Sequence, residues 1–138
     1  MSSERFLIDT SAFHRLHRKS GSEWDAAVAA GRVHLCDYTR LEVLYSARSV
    51  RHGNDLRVQL DQFPWVPLPD QAADRAAMVQ MLMLRRGTHR SAGPVDLLTA
   101  AVAELSGLTL LHYDRDFDTL AEITEQPTRW IADPGSLD

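Results

Sequence analysis

A chain of 138 residues is the length of one ordinary domain, long enough to bury a real core and too short for two. Apolar residues at 44% and charged residues at 25% exclude a disordered or fibrous chain, and no apolar run reaches the length of a membrane span. The formal net charge of -4 argues against a protein that grips nucleic acid by bulk electrostatics alone.

The first predicted element is the strand Phe6-Leu7-Ile8, which runs straight into Asp9-Thr10-Ser11. In an open parallel sheet the ligand crevice lies beyond the carboxyl ends of the strands, so Asp9 is placed for chemistry, and equally for capping a helix. Residues 10–18 suit a short helix, and Gly21-Ser22 then breaks the chain. Ser22 can cap a helix from Glu23 to about Ala30, with Trp24, Ala27, Val28 and Ala30 as its apolar stripe and Gly31 at its end. Val33-His34-Leu35-Cys36 reads as a second buried strand, completing a βαβ unit. Cys36, the single cysteine, reads as a buried thiol with no catalytic role.

The next helix is expected from Thr39, carrying Leu41, Val43, Leu44 and Ala47. Thr39-Arg40-Leu41-Glu42 has the form of a capping box, which would spend Glu42 on the backbone of Thr39. A helical piece over Asn54 to Gln62 follows, and Pro64, Pro67 and Pro69 mark an extended connection in which Trp65-Val66 can pair as a strand. Residues 70–86 form the longest helical pattern, apolar over more than half its circumference and interspersed with Met78, Met81 and Met83, so it lies deep in the fold or faces a partner.

Gly87 to Gly93 is a loop, Pro94 suits the first turn of a helix, and Asp96 falls near that helix's N-terminus. The helix runs to Gly107, the strand Leu108 to His112 follows, and that strand delivers Tyr113-Asp114-Arg115-Asp116-Phe117-Asp118 to its carboxyl end. Asp118 reads as solvent-facing or as a local cap, and Arg129-Trp130-Ile131 as a last strand. The alternation of strand and helix predicts one domain over 1–138. Its fold class is α/β, a three-layer α/β/α sandwich on a mostly parallel sheet of four or five strands. Neither a signal peptide nor a membrane anchor is read in it, so a cytoplasmic location without membrane association is expected.

Asp9, Glu42, Asp96 and Asp114 are all sent to one rim of that sheet. Carboxylates gathered there repel one another and raise each other's pKa unless a divalent cation neutralises them. Oxygen-only ligands select hard cations, so Mg²⁺ or Mn²⁺ facing a phosphate substrate is expected, hence a phosphodiesterase or nuclease.

The ordered set Asp9-Thr10-Ser11, Glu42, Pro94-Val95-Asp96-Leu97-Leu98-Thr99-Ala100-Ala101 and Leu111-His112-Tyr113-Asp114-Arg115-Asp116-Phe117 resembles the motifs of PIN-domain ribonucleases. Size and motif order are similar to the VapC toxins of bacterial VapBC toxin-antitoxin pairs. The resemblance implies a Mg²⁺- or Mn²⁺-dependent endoribonuclease that cleaves RNA, pairs as a homodimer and is inhibited by a VapB-type antitoxin whose segment covers a groove near the site. By motif, Asp9, Glu42, Asp96 and Asp114 match the family's acidic quartet, with Asp116 as a further metal ligand and Thr10 or Ser11 in support. Arg15, Arg18, Arg86 and Arg90 are the candidates for RNA phosphate contacts. Two other readings stay open: a PIN-fold binding module without turnover, and a receiver-type phosphorelay domain. The latter would need a paired acid after the first strand and a basic residue after a late one, whereas this chain has no lysine beyond Lys19.

Overall fold

The computed structural model describes residues 3–19 and 23–138; the break expected at Gly21-Ser22 and the Ser22 cap lie outside the described residues. Four short parallel strands carry the fold: β1 (Phe6–Ile8), β2 (Val33–His34), β3 (Thr109–His112) and β4 (Thr128–Trp130), in the order β2-β1-β3-β4. Phe6 pairs with Val33 and Leu7 with Leu110, while Leu111 pairs with Arg129. β1 is therefore central. Its three residues are almost wholly buried, which is what an uninterrupted apolar run produces in a sheet covered on both faces.

Side chains leave β1 alternately. Leu7 joins a core cluster with Leu110, Phe117 and the buried residues of helices α5 (Ala72–Arg85), α6 (Pro94–Leu105) and α7 (Arg115–Thr124). Phe6 and Ile8 join a second cluster with Leu111 and with helices α1 (Thr10–Arg15), α2 (Glu23–Ala29), α3 (Asp37–Tyr45) and α4 (Val50–Leu60). The expected three-layer sandwich is thus present. A 3₁₀ turn, Leu16–Lys19, continues α1. Among the described residues no helix is long and apolar enough to cross a membrane.

Several boundaries depart from the sequence reading. The second strand stops at His34, because Leu35 turns to pair with Trp65 in an isolated parallel bridge and Cys36 already caps α3. This bridge is where the expected Trp65-Val66 pairing appears, with prolines on the outer edge of the sheet where a missing N–H does no harm. Helix α3 starts at Asp37, not Thr39, so the predicted capping box does not form. Thr39 lies inside the first turn and its hydroxyl donates instead to Ile8 O at 3.0 Å, a buried tie between the helix and the end of β1. Helix α4 starts at Val50, four residues earlier than Asn54, because the Ser49 side chain accepts the His52 N–H at 3.0 Å.

Candidate active site

The carboxyl ends of β1 and β3 are neighbours, and each opens a helix with an acid. Asp9 is the N-cap of α1, accepting the Ala12 N–H at 2.9 Å. Asp114 is the N-cap of α7, accepting the Asp116 N–H at 2.9 Å. Asp96, in the first turn of α6, accepts the Gly93 N–H at 3.3 Å. Capping leaves each carboxylate with further lone pairs for a ligand, and the helix N-termini lend partial positive charge to the acids they present. Glu42 is different. With α3 beginning at Asp37 it sits in the second turn, freed from the Thr39 backbone and half-buried.

Ser11 is the hydroxyl that orients Asp9. Its Oγ lies 2.8 and 2.9 Å from the two carboxylate oxygens and accepts the Tyr113 N–H at 2.9 Å, so one side chain ties the end of β3 to the acid at the end of β1. Thr10 opens α1 and is half-buried beside it.

The electrostatics show which acids share a field. Burial pushes the Asp9 carboxyl up to about 7 against the hydrogen bonds from Ala12 and Ser11, and the charge of Asp96 pushes the same way. Burial also raises Asp96, to about 6, opposed by the Gly93 N–H and reinforced by Glu42, Asp114 and Asp116. Asp116 is raised by burial and by Asp114. Glu42, Asp114 and Asp116 thus all bear on Asp96, and Asp96 bears on Asp9, so acids from four segments face a common region. Their donor set is entirely hard oxygen, which suits Mg²⁺ or Mn²⁺ rather than zinc. Among the described residues, no group of three or more His, Cys, Asp or Glu side chains is drawn together closely enough to hold an ion as it stands. The chemistry of the donors fits a hard cation, while their spacing is open.

The four basic candidates separate. Arg15 is half-buried beside the site, its guanidinium donating to Ser11 O at 3.1 Å and lying 4.7 Å from the centre of the Tyr113 ring. Arg18 is exposed and donates to Leu137 O at 2.6 Å. Arg86 and Arg90 are exposed at the end of α5 and in the loop before α6.

Sequence reasoning missed His112. Its fully buried ring sits between Phe117 and Trp130, and Nδ1 accepts the Asp114 N–H at 3.1 Å. The backbone that presents Asp114 is thereby fixed by the residue two places before it. A histidine at the end of a strand of otherwise apolar residues was the available signal. Cys36 is buried and free, as expected.

The PIN domain family matches residues 6–123, a span that contains all five acids. Ribonuclease VapC18 of Mycobacterium tuberculosis is 41% identical over 135 residues, covering 96% of this chain and 98% of that protein. The chain belongs to the PIN-domain family, among the VapC ribonucleases. A second VapC relative, Ribonuclease VapC2 of M. tuberculosis, is 43% identical over 131 residues and covers 93% of each chain. The fold is also that of the VapC chains in solved complexes: the DNA-bound VapBC structure from Salmonella typhimurium aligns with a TM-score of 0.76 at 20% identity, over 94% of this chain and 99% of that one.

Proposed function

We propose that this PIN domain is a Mg²⁺- or Mn²⁺-dependent endoribonuclease, the toxin of a toxin-antitoxin pair. Asp9, Glu42, Asp96 and Asp114 are its catalytic acids, with Asp116 as a further ligand. The observation that carries the reading is geometric: the neighbouring carboxyl ends of β1 and β3 open helices on Asp9 and Asp114, Asp96 stands in the first turn of α6, and burial together with the neighbouring acids holds Asp96 above the ordinary carboxylate range. A bound divalent cation supplies a nucleophilic water at neutral pH and balances charge on the phosphate. The chain's own residues set the stage. Ser11 fixes the direction of both Asp9 oxygens, His112 fixes the Asp114 backbone, and Arg15, braced on Tyr113, offers a cation to an RNA phosphate at the rim.

A VapB-type antitoxin is the proposed partner. A mainly apolar groove of about 370 Å³, lined by Tyr38, Leu41, Glu42, Tyr45 and Val95, shares Glu42 with the acid cluster. Leu41 and Tyr45 are exposed there, 58% and 92% respectively, so a peptide covering them would also cover the site. The exposed apolar face of α5 is assigned to a homodimer.

Asp96→Asn tests the catalytic assignment. The amide keeps an acceptor for the Gly93 N–H and removes only the charge. Cleavage of RNA in Mn²⁺ should fall at least about 100-fold, because a lost ligand charge is not replaced. The metal-free fold should become more stable at pH 8, by roughly 1 kcal/mol after discounting for partial exposure. A binding module without turnover predicts no cleavage by the wild-type chain either, with or without chelator.

A further inference from the structure

Beside Asp114 lies a cavity of about 350 Å³ that the catalytic reading does not use, walled by Tyr113, Asp114, Arg115, Trp130, Gly135 and Asp138. Its outer wall, residues 133–138, is a built structure. Ser136 donates to Asp133 O through both its N–H and its hydroxyl, at 3.0 and 2.6 Å, and Gly135 takes the left-handed conformation at φ +82 that closes the turn. The Leu137 N–H donates to the Tyr113 hydroxyl at 2.7 Å and its carbonyl accepts from Arg18 at 2.6 Å, so the segment is pinned to β3 and to the turn after α1. The Asp138 carboxylate folds back over Gly135, 3.8 Å from where a Cβ would stand. This wall lies beyond the residues 6–123 that match the PIN family.

The two aromatic walls are held as firmly. Tyr113 and Trp130 meet edge to face with ring centres 5.4 Å apart, Arg15 lies over the Tyr113 ring, and the Trp130 indole N–H donates to Asp118 at 3.1 and 3.2 Å. The cavity therefore has aromatic surfaces on one side and, on the other, the carboxylates of Asp114 and Asp138 with the exposed Arg115. Two carboxylates against one guanidinium leave the lining net negative, which disfavours a phosphate. A nucleobase has the opposite complement: a π-face that stacks on aromatic rings and an N–H edge that donates to carboxylates. Guanine alone among the four bases offers two adjacent donors, N1–H and the N2 amine, that match both oxygens of one carboxylate.

We propose that this cavity is a base-reading subsite, seating a guanine of the RNA strand next to the phosphodiester at the acid cluster, stacked against Trp130 and read by Asp138. The proposal rests on the ribonuclease reading for the identity of the strand. Its test does not need turnover.

The ¹⁵N-labelled full chain, with chelator present, is titrated with the 5′-monophosphates of guanosine, adenosine, cytidine and uridine, and the indole N–H signals are followed. Trp24 and Trp65 serve as internal references. Guanosine monophosphate should move the Trp130 signal while uridine monophosphate at the same concentration leaves it in place. Asp138→Asn should weaken the guanosine response at least five-fold. In parallel, the ends produced by cleaving ribosomal RNA are mapped, and guanine enrichment beside the cut should be lost in Asp138→Asn. A Trp130 signal unmoved by all four nucleotides, or moved equally by all and unaltered by Asp138→Asn, overturns the subsite. A guanosine response in a chain that cuts no RNA keeps the pocket and overturns the ribonuclease reading. RNA cleavage with the same ends in wild type and Asp138→Asn does the reverse.

Discussion

Asp9 is at once a helix cap, a partner of Ser11 and the most deeply buried acid of the site, and these roles pull its proton in opposite directions. The cap and hydroxyl bonds favour the carboxylate; burial disfavours it and wins, leaving the group at about 7 against an ordinary value near 4. Its neighbour Asp96 is raised to about 6. The sign of the consequence follows from proton counting. Between about pH 4 and pH 7 the folded, metal-free chain holds protons that the unfolded chain has released, so stability falls as pH rises through that window. The rings of His14, His34 and His112, held below their ordinary value by burial, work in the opposite sense, so the share of the acids is read by comparison: between pH 5 and pH 8 the melting temperature of metal-free protein should change less favourably with rising pH in the wild-type chain than in Asp9→Asn. Millimolar Mg²⁺ or Mn²⁺ should raise it in the wild-type chain at pH 8 and have little effect at pH 5, where protons compete for the same oxygens. Differential scanning calorimetry with and without chelator reads both; a pH dependence without metal that is the same in the wild-type chain and in Asp9→Asn would contradict the assignment.

Helix α7 begins on Asp114, one of the proposed catalytic acids, and ends on a strained residue. Its C-cap, Glu125, is exposed and takes a left-handed conformation at φ 58, closing the helix through its N–H to Ala121 O at 2.8 Å. Among the described residues it is the one non-glycine residue at positive φ. Glycine has no Cβ to strain there, so Glu125→Gly should raise stability by about 0.5–1 kcal/mol, read as a higher urea midpoint at unchanged slope. At this scale the sequence was legible where a chemical stop stood at the boundary: Gly31 ended α2 and Pro94 opened α6 as expected. It was illegible where tertiary contacts chose between local options. The hydroxyl of Thr39 could cap a helix or reach across to Ile8 O, and only the neighbouring strand decides for the latter. That choice moved Glu42 from a capping role to a free acid. Gly53 lowers the helical propensity of the segment after Ser49, which hid the true start of α4, since burial of Leu56 and Leu60 outweighs one unfavourable residue.

Over the whole molecule, the sheet order that makes β1 central sets the carboxyl ends of β1 and β3 side by side, and with them Asp9 and Asp114; the alternation of strand and helix announced the parallel sheet, while the strand order comes from the pairing itself. What one chain's sequence leaves open is what covers the apolar surface left outside. Helix α5 buries Ala72, Ala76, Val79 and Met83 in a regular stripe against α6 and α7, yet Met78, Met81 and Leu84 remain 57%, 49% and 49% exposed, with Leu105 of α6 at 41%. The sequence excess of apolar residues over 70–86 is thus not spent on the chain's own core. Met side chains adapt to a second surface, and a stable pairing needs roughly 800 Å² per partner, so the α5 face would pair together with Leu105 of α6 and the polar residues around them. The homodimer reading predicts that the wild-type chain sediments at twice its monomer mass at micromolar concentration. Met81→Glu, which sets a charge at the centre of that face, should give a folded monomer with an unchanged circular dichroism spectrum. Leu41→Glu, on the groove beside Glu42, should leave the dimer intact, because that groove is assigned to the antitoxin. A wild-type monomer, or a dimer broken by Leu41→Glu and not by Met81→Glu, would exchange the two assignments or remove the first.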